Sequence, residues 1–421
     1  MYVSLRDRPA ATSARGTAAR VAPTVILLGV VSLLTDISSE MVSAVLPIYL
    51  TAQLGLGLLA YGFVDGLYQG VSAVVRIAGG YAGDRIGRPK WVAAAGYGVS
   101  ALSRVAMLAA GSFAAVTAVV TADRLGKGLR TAPRDALIAD ASDPAILGRS
   151  FGVHRTLDTV GAAVGPVVAF ALLALVPGGY DSVFVVSFAV ALVGVAVLVL
   201  LVPNRRTTPG ASSLDVRGML RTIAARPLRR PLAVAGLLGV LTVGDGFLYL
   251  SLMERDGFAA QMFPLLYVGT NIAYLALAVP MGRLADRLGR ARVFIAGHVA
   301  LLAVYLVAFA PVGGLGTTLL ALLLLGTFYA ATDGVLAALV SGVVPAAARG
   351  TGIAAAQTVV VGARFAASLT FGTLWTIMGR GPALGVVAVA LAVALPAAAG
   401  LAWGLGRGAS PPDEPAGAGA G

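Results

Sequence analysis

The chain contains no cysteine, which excludes disulfides, thiolate metal sites and cysteine nucleophiles. Two histidines in 421 residues are too few for a multi-histidine metal centre. Acidic and basic residues together make up 12% of the chain, against roughly 25% in a soluble globular protein. The glycine-rich stretches lack the Lys-Ser/Thr ending of a phosphate-binding loop, and neither H-E-x-x-H nor G-x-S-x-G occurs. ATP-driven chemistry, metalloprotease chemistry and serine hydrolysis therefore have no motif to rest on. No cofactor, metal or enzymatic activity is expected. The termini and the central polar segment are too short to house a signalling domain, which argues against a sensor.

What is present is hydrocarbon-compatible. Hydrophobic residues make up 58% of the chain and glycine contributes 54 residues, with a mean hydropathy of +0.88. This is the composition of an all-α polytopic membrane protein in which small residues let helix backbones approach. Apolar stretches near the bilayer-spanning length recur at 23–50, 59–82, 91–110, 113–139, 150–176, 182–202, 231–253, 261–283, 292–311, 315–340, 350–376 and 382–405, twelve spans in all. Residues 1–22 read as a basic tail, 203–230 as a central loop between bundles 23–202 and 231–405, and 406–421 as a flexible Pro/Gly/Ala tail.

The net charge of +12 follows topology, so nucleic acid is not an expected partner. With both ends cytoplasmic, 21 of the 31 Lys/Arg fall in inside segments, two (Arg255 and Arg380) outside, and eight within spans. That asymmetry obeys the positive-inside rule and predicts a multi-pass cell-membrane protein with the lipid bilayer as its surroundings; function as a monomer is a separate expectation.

The two bundles repeat. GYAGDRIGRPK (80–90) recurs as GRLADRLGRAR (282–292), and Gly126 and Arg149–Gly152 recur as Gly326 and Arg349–Gly352. A matched pair of halves is how many secondary transporters are built, with the substrate site between them. Inside the spans, Arg124, Lys127, Arg130 and Arg134 recur at helical spacing, so a helix gathers them into one stripe. A charge at bilayer depth is costly enough that this stripe must face protein or water. Its expected partners are Asp36 and Glu40 in the first span and Asp65 in the second, with Arg124 and Arg130 nearest the working site. His154 and Asp158 share a face of the fifth span. Near balance of buried cations and carboxylates permits mutual pairing, and protonating one carboxylate frees a cation to bind an anion or to re-pair. Proton coupling is therefore expected at Asp36, Glu40, Asp65, Arg124, Lys127, Arg130, Arg134, His154 and Asp158. Gln69, Asp245, Asn271, Asp333 and Arg364 are expected at a more apolar substrate cavity. For each carboxylate, a fixed structural ion pair is the plainer alternative. His298 reads as structural, and Arg104 is assigned no role.

The pattern G-x-x-x-D-R-x-G-R at Gly80, Asp84, Arg85, Gly87 and Arg88, and again at Gly282, Asp286, Arg287, Gly289 and Arg290, resembles the loop signature of the major facilitator superfamily. Arg124, Gly126 and Gly128 resemble that family's fourth-helix pattern. Gly152, Gly161, Gly165 and Pro166 fit G-x8-G-x3-G-P, which resembles the fifth-helix pattern of its antiporter branch, although Ala169 and Phe170 stand where a glycine pair is usual. The same fifth-span residues also read as a helix-packing face with a tolerated kink. The resemblance spans residues 23–405 and implies two six-helix halves and alternating access, with the two loop signatures acting as a conformational latch. It further implies proton-driven export of a small organic molecule, as in a bacterial and archaeal subgroup of exporters. Proton symport or exchange of an organic anion is the alternative.

Overall fold

The computed structural model describes residues 21–68, 70, 75, 88–204, 226–341 and 349–402. These residues form thirteen α-helices and no strand. In order they are α1 (Pro23–Ile48), α2 (Leu58–Tyr68), α3 (Pro89–Ala106), α4 (Phe113–Ala141), α5 (Leu147–Leu175) and α6 (Tyr180–Ala196). After the central segment come α7 (Arg226–Gly239), α8 (Asp245–Asp256), α9 (Phe263–Leu288), α10 (Arg290–Phe309), α11 (Leu315–Ser341), α12 (Arg349–Met378) and α13 (Arg380–Ala402).

Nine helical segments among the described residues are long and apolar enough to cross a membrane. The three remaining expected spans fail that test for different reasons. Of the second span, only α2 and residues 70 and 75 are described. Helix α4 carries the cation stripe, which lowers its hydropathy. The span expected at 231–253 is two helices, α7 and α8, separated by Val240–Gly244. That break exposes backbone polar groups which the hydrocarbon region tolerates only inside protein. Tyr305 on α10 resolves it: its hydroxyl donates to the Leu241 carbonyl at 2.8 Å and accepts from the Val243 N–H at 2.9 Å.

The two halves repeat one packing scheme. In the first half α1 packs on α5 and α6, and α3 packs on α4 and α6. In the second, α7 packs on α12 and α13, and α10 packs on α11 and α13. The α7/α8 pair thus takes the place of α1, and α10 to α13 take the places of α3 to α6. Close crossings depend on glycine. A Cβ placed at Gly96 would lie 2.7 Å from the Gly126 carbonyl oxygen, and one at Gly126 would lie 2.6 Å from that of Gly96.

At one end the halves are pressed together. Tyr61 of α2 packs on Phe247 of α8 with ring centroids 4.6 Å apart, and Phe247 packs on Phe371 of α12 at 5.2 Å. At the other end, where α1, α5, α7, α10 and α12 begin, a cavity remains between them.

Candidate functional site

The cavity has a volume of about 540 Å³. The first half lines it with Asp36 of α1, Lys127, Arg130, Thr131 and Arg134 of α4, and Arg155 and Asp158 of α5. The second half contributes a largely apolar wall that includes Ala235, Phe294, Phe328, Leu336, Val360 and Val361, with His298, Thr332, Asp333, Gln357 and Arg364 among them. A smaller pocket of about 320 Å³ adjoins it between α5 and α9, where Asn271 and Tyr274 face Asp36, Arg155 and Asp158.

Helical spacing places the four α4 cations on one side of the helix, and the neighbouring helices then sort them into two groups. Arg124 belongs to a closed cluster. Its Nε donates to Asp123 at 2.9 Å, and its Nη2 contacts the same oxygen. The other Asp123 oxygen is paired with Arg104 at 2.9 Å, and Arg104 also donates to Ser39 at 3.0 Å. The Arg124 guanidinium lies 3.7 Å from the centre of the Tyr68 ring. All three charged side chains are at most 5% exposed. Arg124 therefore does not line the cavity. The expectation that it stands nearest the working site is corrected, because Asp123, one residue away, takes up the charge first.

The second group faces the cavity. Arg130 lies 3.9 Å from Asp36 and 4.5 Å from the centre of the Tyr97 ring. Arg134 is bonded to Asp135 at 2.9 Å, approaches Asp158 at 3.8 Å and donates to Ser32 at 3.2 Å. Arg155 reaches Asp158 at 3.3 Å. Asp36 and Asp158 both line this cavity and the smaller pocket beside it. The Lys127 side chain makes no ion pair or hydrogen bond to a described residue, although Asp36 and Glu40 are close enough to act on it electrostatically. Glu40 lies on the α1 face that meets Gly165. His154 is 3% exposed, and neither ring nitrogen has a hydrogen-bond partner among the described residues.

Asp65 departs from its expected place. It accepts a 2.6 Å hydrogen bond from Ser368 of α12 and lies against Gly244 in the α7–α8 break. It is a contact between halves and not a partner of the α4 stripe, because α2 presents that face to α12. In the second half, Asp245 accepts from the Tyr329 hydroxyl. Arg364 lies 5.7 Å from the centre of the Tyr329 ring, and both Arg364 and Asp333 reach the cavity. Among the described residues no group of three or more His, Asp or Glu side chains could hold a metal ion.

This architecture and the chain itself have recognisable relatives. The family model described as Major Facilitator Superfamily matches residues 28–368. The chain belongs to the major facilitator superfamily. It is 30% identical over 363 residues to an uncharacterized MFS-type transporter of Methanocaldococcus jannaschii, covering 84% of this chain and 88% of that one. An uncharacterized protein of Mycobacterium tuberculosis is 29% identical over 273 residues, 63% of this chain and 66% of its own length. The fold is similar to that of the nucleoside transporter NupG, with a TM-score of 0.76 at 16% identity, covering 90% of this chain and 99% of that one. A peptide transporter of the POT type superposes with a TM-score of 0.76 at 14% identity over 92% and 95% of the two chains. A human organic anion transporter gives 0.62 at 16% identity over 90% and 98%. The chain is thus a multi-pass membrane protein of the facilitator fold and a secondary transporter by family.

Within this facilitator, the first loop signature lies mostly outside the described residues: Gly80, Asp84, Arg85 and Gly87 fall there, as does Gln69. Arg88 stands exposed at the start of α3. The second copy is described. Gly289 turns the chain from α9 to α10 at φ +101°, a conformation that favours glycine. Arg290 donates to the Ala338 carbonyl near the end of α11 at 2.9 Å and lies 3.8 Å from Asp286. Arg287 is exposed, and no neighbour stands within 4 Å of a Cβ at Gly282. On α5, Gly161 and Gly165 lie against the α1 backbone at Leu33 and Ile37, whereas Gly152 faces open space. Pro166 is buried inside the helix.

Two participants were not expected from the sequence. Arg104 is the counter-charge of Asp123, and the signal for it was a lone cation in an apolar span, which requires a partner. His298 lines the cavity, with its Nδ1 2.9 Å from the Phe294 carbonyl and its ring against Phe328. Its only signal was position, one helical turn beyond Phe294.

Proposed function

We propose that this facilitator moves a small organic solute across the cell membrane by alternating access, coupled to protons at Asp36 and Asp158. The cavity lies between the halves and is open toward one end, while α2, α8 and α12 close the other. With both termini cytoplasmic, as the distribution of Lys and Arg favours, the open end is cytoplasmic and the conformation inward-facing. One chain holds the entire cavity, so a monomer suffices.

The observation that carries the coupling is that Asp36 and Asp158 line one cavity, each with an arginine within 4 Å. A proton on either carboxyl removes its pull on the neighbouring guanidinium. Losing that proton leaves two carboxylates beside Arg130 and Arg134, at 3.9 and 3.8 Å, and draws the guanidiniums onto them. Regaining it releases the guanidiniums to the cavity.

Antiport, and hence export, is what the fifth-helix pattern implies, and it requires proton and solute to exclude one another. The cavity wall favours the alternative. Five cations (Lys127, Arg130, Arg134, Arg155 and Arg364) face three carboxylates (Asp36, Asp158 and Asp333), so protonation frees positive charge for an anion and the two cross together.

Proteoliposomes loaded with a pH-sensitive dye test both the coupling and its sign. Impermeant sulfonates, carboxylates, amines and neutral solutes are added outside at equal pH, with protein-free liposomes as control. Symport acidifies the interior and antiport makes it alkaline. The variants Asp36→Asn and Asp158→Asn are expected to insert normally and to lose the proton signal. Solute entry without proton movement in the parent overturns the coupling, and unchanged signals in both variants overturn the assignment to these two residues.

A further inference from the structure

We infer that Lys127 and Arg130 seat the anionic head group of an amphipathic organic solute whose aromatic or alkyl body lies on Phe294 and Phe328. The inference rests on the reading that the cavity between the halves is the transport site, and it names the class of solute that site takes.

Arg130 is 4% exposed at its side chain, and its Nη1 has no hydrogen-bond partner among the described residues. Its nearest carboxylate, Asp36, stands at 3.9 Å, beyond hydrogen-bonding distance. The Lys127 side chain, one turn away on the same face, likewise has no ion pair or hydrogen bond to a described residue, and both residues line the cavity. The neighbouring cations differ: Arg124 is held by Asp123, Arg134 by Asp135, and Arg155 by Asp158. A buried guanidinium with an open donor is costly unless an acceptor reaches it. A carboxylate, sulfonate or phosphate group supplies that acceptor, and the planar fork of arginine suits such oxyanions.

The opposite wall selects the rest of the molecule. Phe294, His298 and Phe328 form one ring cluster, with centroids 4.8 and 5.2 Å apart, and aliphatic side chains continue that surface. An inorganic anion would leave this wall unfilled. A solute with an acid at one end and a ring at the other meets both surfaces, and about 540 Å³ lies within the usual range for small-molecule sites.

The test measures binding without a proton gradient. The protein in lipid nanodiscs is equilibrated with 2-naphthoate, 2-naphthalenesulfonate, 2-naphthalenemethanol, 2-naphthylmethylammonium and inorganic sulfate. The two naphthyl anions are expected to bind roughly tenfold or more tightly than the alcohol, the ammonium or sulfate. Lys127→Gln and Arg130→Gln are each expected to cost roughly tenfold in anion affinity, the size of one lost charge-assisted hydrogen bond. Phe328→Ala is expected to weaken the naphthyl anions and leave sulfate unchanged. Equal binding of the ammonium or the alcohol, anion affinity unchanged in both polar variants, or absence of saturable anion binding each overturn the inference. Should Arg130→Gln fail to insert, the parent's ligand ranking and Lys127→Gln still decide. Anion binding with no coupled proton movement overturns the proposed function alone, and proton-coupled transport of the ammonium overturns the head-group seat alone.

Discussion

Replacing Asp123 with Asn separates scaffold charges from working charges. Asp123 is the shared counter-ion of Arg104 and Arg124, and all three side chains are at most 5% exposed. Asparagine preserves the shape but leaves two buried guanidiniums without a negative charge. Breaking a buried ion pair by removing one partner costs about 3–5 kcal/mol, and here one substitution breaks two. At about 2 °C per kcal/mol for a chain of this size, the melting temperature should fall by about 6–10 °C for the loss of one pair, and by more with both lost. Asp36→Asn differs. Its side chain is 15% exposed, and its closest cation stands at 3.9 Å, beyond hydrogen-bonding distance, so the loss should be about 1 kcal/mol. Intrinsic tryptophan fluorescence during heating in detergent reads both variants against the parent. If Asp123→Asn melts within 2 °C of the parent, or Asp36→Asn falls as far as Asp123→Asn, the division into a fixed cluster and a mobile one is wrong.

Two glycines of the same fifth-helix pattern should respond with opposite sign. Gly165→Ala puts a Cβ 2.7 Å from the Ile37 carbonyl oxygen and 2.8 Å from the Glu40 Cβ, which should cost about 1–3 kcal/mol by overpacking. Gly152→Ala meets nothing within 4 Å and should be neutral or raise the melting temperature slightly, since alanine is the better helix former. Tyr305→Phe removes the hydroxyl that serves both Leu241 and Val243 in the α7–α8 break. About 1–3 kcal/mol of stability should be lost, and an unchanged melting temperature would show that water replaces the hydroxyl. Asp256, beyond the end of its span, is held at about 2 by hydrogen bonds from Arg255, with Thr318 and the Gly314 N–H adding to them. Because its folded value lies below its ordinary 3.8, the stabilisation is full above that value and is lost as pH falls through about 2. The melting temperature of Asp256→Asn should therefore depend less steeply on pH than the parent's between pH 5 and pH 2.5, and parallel curves would refute the point.

The sequence alone determined the helical architecture and the recurrence of the halves. Runs of apolar residues at bilayer length fix where a chain can cross, whatever its partners. The ends of α5, α9 and α11 accordingly lie within five residues of their expected bounds. The repeated glycine and arginine patterns likewise made the family legible. The interruption between α7 and α8 was not legible, because Val240–Gly244 is as apolar as an unbroken span and its hydrogen bonds come from Tyr305, some sixty residues on.

Only the tertiary structure decided which charge meets which. Periodicity places Arg124, Lys127, Arg130 and Arg134 on one face of α4, yet it says nothing of how that helix is turned against α1, α3 and α5. Electrostatic pairing is settled over a few ångströms, by side chains far apart in sequence. Asp36 and Asp158 line one cavity because α5 crosses α1 closely at Gly161 and Gly165. Asp65 turns away from the α4 stripe because α2 is pressed against α12 at Ser368. Arg124 and Arg130 are six residues apart on one helix, but α3 brings Arg104 to complete the Asp123 cluster around the first. The second lines the cavity, and its Nη1 has no hydrogen-bond partner among the described residues.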